Sequence, residues 1–209
     1  MTLMLVVVFM ITLIYMATAG RLISYVKLLA IQGIVLFGLA YLELHSIDPL
    51  NLAFILIETL VVKGVAIPLF LVKVINRNQI SREMEANISA FSSLLAMTLG
   101  IALSFALSYR VSQDTEHMLF LTGALSSIFA GIFLIVLRRK IITHIMGYMV
   151  LENGIFMLSL AVGSAMPMAV NAGILLDILT SVLVLGVFVN RIGDRFQSVE
   201  IEQLARLRD

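Results

Sequence analysis

Seven times along its length the chain runs for about twenty residues with hardly a charge, and that recurrence restricts the fold more than any other feature. A helix needs about 20 predominantly apolar residues to cross the hydrocarbon of a bilayer. Runs of that size cover roughly 2 to 20, 25 to 44, 50 to 75, 87 to 108, 118 to 137, 141 to 163 and 168 to 190. The ten-residue alternation that a membrane barrel requires is missing. The first run, MTLMLVVVFMITLIYMATAG, ends like a secretory leader. It lacks the positive start of one and is long enough to span, so it is expected to remain as a first helix. The expected fold is therefore all-α: a polytopic membrane protein of about seven transmembrane helices forming a single domain over 1–190. A tail of mixed charge, 191–209, follows, with Val199, Leu204 and Leu207 as apolar points for an interface or a partner.

Lys and Arg accumulate in cytoplasmic loops, so the few basic residues orient the spans. Arg21, Lys27, Lys73, Arg77, Arg82, Arg138, Arg139, Lys140, Arg191, Arg195, Arg206 and Arg208 all fall on one side, and only Arg110 falls on the other. The expectation is an N-terminus outside and a C-terminus in the cytoplasm. With a net charge of +1 there is no basic excess to neutralise a phosphate backbone, and no nucleic acid partner is expected. The chain has no cysteine, which excludes thiolate metal sites, iron–sulfur clusters and cysteine nucleophiles. No phosphate loop, zinc-protease motif or nucleophile and base pair can be read. The 12 methionines sit at helical spacing and suit packing better than copper. No metal, cofactor or catalytic residue is expected in this chain.

Against this apolar background, Glu58, Lys63, Glu152 and Asp177 lie deep within spans. Insertion scales place an Asp or Lys at mid-helix at about +2.5 to +3.5 kcal/mol. Such groups mark proton or ion pathways, or they pair between helices as structural glue. Glu58 and Lys63 are five residues apart, so on an α-helix they point about 140° away from each other. Lys63 then has to find its counter-charge mostly on another helix. Pro68 cannot donate to the Gly64 carbonyl, and a kink or local unwinding beside Lys63 is expected. In the sixth run, His144, Tyr148 and Glu152 recur at every fourth position, placing three proton-exchanging groups on one face. Histidine titrates near neutrality and burial favours the protonated form of a carboxyl group, so the trio suits a proton relay. A capping histidine and a packing tyrosine would give the same spacing. Gln32 and Asn153 are supporting polar residues on the same axis, and Thr180 and Ser181 offer hydroxyls one turn beyond Asp177.

The halves also echo one another. Gln32 and Glu58, then an Ile-Asn-Arg ending at Arg77, are matched by Glu152 and Asp177, then a Val-Asn-Arg ending at Arg191. The spacing suggests two copies of a helical hairpin in the same orientation. Inverted copies, typical of rocking carriers, would face opposite ways.

Gly147, Tyr148, Glu152, Asn153 and Gly154 form a Gly-Tyr, three residues, Glu-Asn-Gly pattern; Lys63 and Pro68 lie upstream, with Asp177 and the ending EIEQLARLRD downstream. With these residues the whole chain resembles the hydrogenase-4 component E family. Its last three helices, 118–190, are similar to the K-type subunit of respiratory complex I and of multisubunit antiporters, which carries a glutamate on each of its last two helices. Asp177 aligns with the second of those glutamates. Glu152 lies about one helical turn beyond the first, on nearly the same face. The resemblance implies a multi-pass, non-catalytic subunit in the membrane arm of a complex related to group 4 hydrogenases or formate hydrogenlyase, in the cell inner membrane. Its partners would be antiporter-like and quinone-module-like membrane subunits and peripheral hydrogenase-like subunits holding the nickel–iron and iron–sulfur centres. Glu152, Asp177, Glu58, Lys63, His144 and Tyr148 would then serve proton or sodium translocation. Two alternatives stay open: an antiporter subunit without a redox partner, and a scaffold between antiporter-like subunits.

Overall fold

The computed structural model describes residues 1–44, 49–77, 89–112, 114–138 and 140–162, together with Gly186. Helix α1 spans Thr2–Thr18, α2 Leu22–Glu43, α3 Pro49–Ile57, α4 Ile67–Arg77, α5 Ala90–Val111, α6 Thr115–Leu137 and α7 Ile141–Val162. A π-helical segment, Glu58–Ala66, joins α3 to α4 without a break. No strand forms among the described residues. Five stretches, Leu22–Glu43, Leu52–Asn76, Ala90–Val111, Thr115–Leu137 and Ile142–Ala161, are long and apolar enough to cross a membrane. At 17 residues, Thr2–Thr18 is shorter than the 2 to 20 run suggested. Apart from Gly186, the expected seventh span, 168 to 190, and the tail lie outside the described residues.

Helices α6 and α7 form the tightest pair because small residues line their seam. A Cβ on Gly131 would stand 2.7 Å from the Gly147 carbonyl oxygen, and one on Gly154 would stand 2.9 Å from that of Ala124. Such backbone approach lets Ser127 donate across the seam to the Val150 carbonyl at 2.6 Å. Small residues and interhelical hydrogen bonds are what hold helices together where lipid removes the hydrophobic drive. On the other side of the bundle, α2 contacts α1, α7, the π segment and α4, so it is the hub that brings Lys63 to Glu152. Helix α5 is held by a narrow strip, Ser93, Met97, Gly100, Ser104 and Ser108, and turns Phe91, Leu99 and Tyr109 outward. Its first turn is capped by Ser89, whose hydroxyl accepts from the Ser92 amide at 3.1 Å.

Arg138 was expected among loop charges, yet it is only 7% exposed. It follows the last residue of α6 and reaches back to α1, donating to the Ala17 carbonyl at 3.0 Å and lying 5.9 Å from the Tyr25 ring centre. The Ala17 oxygen is one of the carbonyls a helix C-terminus leaves without a partner, and a cation is favoured there. Tyr25 ties the same turn by donating to the Ala19 carbonyl at 2.9 Å. His144 Nε2 donates to the Arg138 carbonyl at 2.6 Å, closing the α6–α7 turn. Replacing Arg138 with Met should cost about 1 to 3 kcal/mol, because a buried carbonyl loses a charged donor. A thermal melt of the detergent-solubilised protein would read this as a lower midpoint; an unchanged midpoint would show that the contact holds nothing.

Candidate functional site

Midway along the bundle, Lys63 on the π segment meets Glu152 on α7. Its Nζ is hydrogen-bonded to Glu152 Oε1 and stands 3.8 Å from Glu58 Oε1. All three side chains are buried, with residue exposures of 4% for Glu58 and 6% each for Lys63 and Glu152. The ammonium also lies 4.8 Å from the centre of the Phe156 ring, one helical turn beyond Glu152, which adds a cation–π attraction in a buried setting.

The π conformation explains why Glu58 joins the cluster. An α-helix turns residues five apart away from each other, whereas i→i+5 hydrogen bonding stacks them as near neighbours. Ile67, for instance, donates its amide to the Val62 carbonyl, five residues back. The segment ends at Ala66, two residues before Pro68, whose missing amide favours a departure from α-helical bonding just upstream. Lys63 therefore draws its closest counter-charge from another helix, as its α-helical direction implied, and gains a second one from its own segment.

One ammonium between two carboxylates leaves one negative charge over when all three are ionised. Glu58 Oε2 is enclosed and has no hydrogen-bond partner. An isolated buried charge is costly, so the spare carboxylate is more than a purely structural ion pair requires.

A second polar chain starts beside Glu152 and runs sideways through α2 to α1. Asn153 Nδ2 donates to Gln32 Oε1 at 3.0 Å, Gln32 Nε2 donates to Thr12 Oγ1 at 2.9 Å, and Thr12 donates to the Phe9 carbonyl at 2.6 Å. Gln32 also lies 3.7 Å from Met16 Sδ. A cavity of about 10 Å³ opens between Leu29, Lys63, Ile67, Met149, Glu152 and Asn153. Among the described residues, no group of three or more histidine, cysteine or acidic side chains could hold a metal ion.

The structure gathers Glu58, Lys63, Glu152, Asn153 and Gln32 into one region. His144 and Tyr148 stand apart in burial: His144 is half-buried at the α6–α7 turn, and Tyr148 is 36% exposed. The reason is helical drift, since eight residues advance the face by about 80° and Glu152 turns inward where Tyr148 does not. Asp177, Thr180 and Ser181 lie outside the described residues. Thr12 and Phe156 were not anticipated. Phe156 could have been found from its four-residue spacing to Glu152, whereas Thr12 carries no signal within its apolar run.

The chain is 26% identical over 190 residues to the uncharacterized protein Rv0085 of Mycobacterium tuberculosis, a match covering 89% of this chain and 86% of that one. No family model matches the chain. No solved structure matches it either.

Proposed function

We propose that this chain is a non-catalytic membrane-arm subunit of a complex I-like respiratory complex related to group 4 hydrogenases, and that it carries part of a proton path. The observation that supports this reading best is Lys63 held between carboxylates from two different elements inside an apolar bundle. A permanent structural pair needs only one carboxylate per lysine. The second allows the ammonium to lean toward Glu58 when the neighbouring field changes, freeing Glu152 to take a proton and later release it. The arrangement suits charge movement coupled to events elsewhere in an assembly, and this chain contributes no redox chemistry of its own. Asp177 would continue the path on the next helix, with His144 and Tyr148 near the cytoplasmic end. Nickel–iron and iron–sulfur centres would reside in the peripheral subunits.

Isolating the protein from its native membrane in mild detergent and identifying the chains that migrate with it tests the assignment. Hydrogenase-like large and small subunits together with antiporter-like subunits are the expected companions. Antiporter-like chains without any redox subunit would replace this reading with the antiporter one, and migration alone would overturn both.

A further inference from the structure

The amide chain beside the lysine has a direction, and the direction is imposed from its far end. The Phe9 carbonyl can only accept, so the Thr12 hydroxyl spends its proton there and can only accept from Gln32. Gln32 must therefore turn its NH₂ toward Thr12 and its carbonyl oxygen toward Asn153. Asn153 in turn must direct its NH₂ at Gln32, which leaves Asn153 Oδ1 on the other side of the amide. Among the described residues no hydrogen bond reaches that oxygen, although Asn153 is only 4% exposed. Asn153 lines the cavity together with Glu152 and Lys63.

We propose that Thr12, Gln32 and Asn153 form a polarity lock that makes this cavity a binding site for one water molecule, held as a donor. The water donates to Asn153 Oδ1 and to the Glu152 carboxylate, and accepts from Lys63 Nζ. A volume of about 10 Å³ is close to the least that admits a single water, and three polar partners fall within the two to four such a water needs. Thr12 and Gln32 act as positioning residues, because neither lines the cavity. The role of the water, to keep Glu152 in contact with a mobile proton when Lys63 leans away, rests on the proposed function. Its existence rests only on the hydrogen bonds.

The test uses the purified full-length chain in phosphatidylethanolamine/phosphatidylglycerol nanodiscs, with water itself as the probe. Infrared spectra taken in H₂¹⁶O and H₂¹⁸O should show an isotope-sensitive O–H stretch of one confined water. Thr12→Val keeps the size of the side chain but removes the hydroxyl, so Gln32 is no longer forced to face one way. Occupancy should fall about tenfold, the worth of one hydrogen bond. Thr12→Ser should restore the band, and Asn153→Leu should remove it. If Thr12→Val fails to fold, Gln32→Met breaks the same lock one step further along. No isotope-sensitive band in the unaltered protein, or an undiminished band in a folded Thr12→Val or Gln32→Met variant, overturns the proposal. Since no partner is needed, the experiment can succeed even where isolation from the native membrane finds no redox subunits.

Discussion

Under the proposed function, Glu152→Gln should reduce proton translocation by the complex to the background leak while leaving its subunits together and its electron transfer active. Glutamine keeps the length and planarity of the side chain, so the α6–α7 seam set by Gly131, Gly147 and Gly154 is undisturbed. It removes the negative charge beside Lys63, keeping only a neutral acceptor there, and with it the one group on α7 that could take and return a proton at this depth. Lys63→Met should have the same effect on translocation by the opposite route, leaving Glu58 and Glu152 without the ammonium that stands between them. Proton uptake measured in reconstituted vesicles decides the matter. Unchanged pumping in either variant would reduce the cluster to a structural pair.

Stability separates the same variants in a way that does not depend on what the complex does. Removing one member of a buried ion pair costs about 3 to 5 kcal/mol, because the other charge stays behind uncompensated. Lys63→Met should show that loss, since it leaves Glu58 and Glu152 side by side with no counter-charge. Glu152→Leu should be milder, since Lys63 keeps Glu58 as a counter-charge at 3.8 Å. Combining Lys63→Met with Glu152→Leu should recover part of what Lys63→Met loses, because one carboxylate rather than two is then left without the ammonium. A double-mutant cycle read by thermal melting gives the coupling. Simple additivity would show that the two groups do not interact in solution as they do in this structure.

The helices were legible because an apolar run of spanning length admits few other structures, and the five long stretches follow it with ends displaced by a few residues. The cluster was legible for a related reason. An ionisable residue at that depth is expensive, so Glu58, Lys63 and Glu152 announced themselves. Their mutual geometry was not legible, because the angle between Glu58 and Lys63 depends on whether the segment bonds i→i+4 or i→i+5. Pro68 says only that something changes nearby. Arg138 was read as a loop charge because basic residues at helix ends usually are. Its burial follows from the C-terminus of α1 lying within reach, a tertiary fact. Gln32 and Asn153 stood out as polar residues in apolar runs, but the chain that links them to Thr12 crosses three helices and has no local trace.

The approach of α2 to the π segment leads to the sharpest structural prediction, an asymmetry between two glycines that face each other. A Cβ added to Gly33 would lie 2.7 Å from the Gly64 nitrogen, 2.8 Å from the Gly64 Cα and 2.9 Å from the Lys63 carbonyl carbon. These are backbone atoms with no rotamer to yield, so Gly33→Ala has to drive the two elements apart. Overpacking of this kind costs about 1 to 3 kcal/mol. A Cβ on Gly64 points elsewhere, meeting only the Thr59 carbonyl oxygen at 3.5 Å and an Ile34 side-chain carbon at 3.9 Å, which is ordinary contact. Gly64→Ala should therefore be tolerated, and the better helix propensity of alanine works in its favour. Displacement at Gly33 also reaches the site twice, because Gln32 precedes it and Lys63 precedes Gly64. Gly33→Ala should accordingly lower the melting midpoint and weaken both the Lys63–Glu152 contact and the Gln32–Asn153 bond, while Gly64→Ala leaves them intact. Equal costs at the two positions would mean that the backbones do not meet as described, and the placement of Lys63 against Glu152 would lose its support from α2.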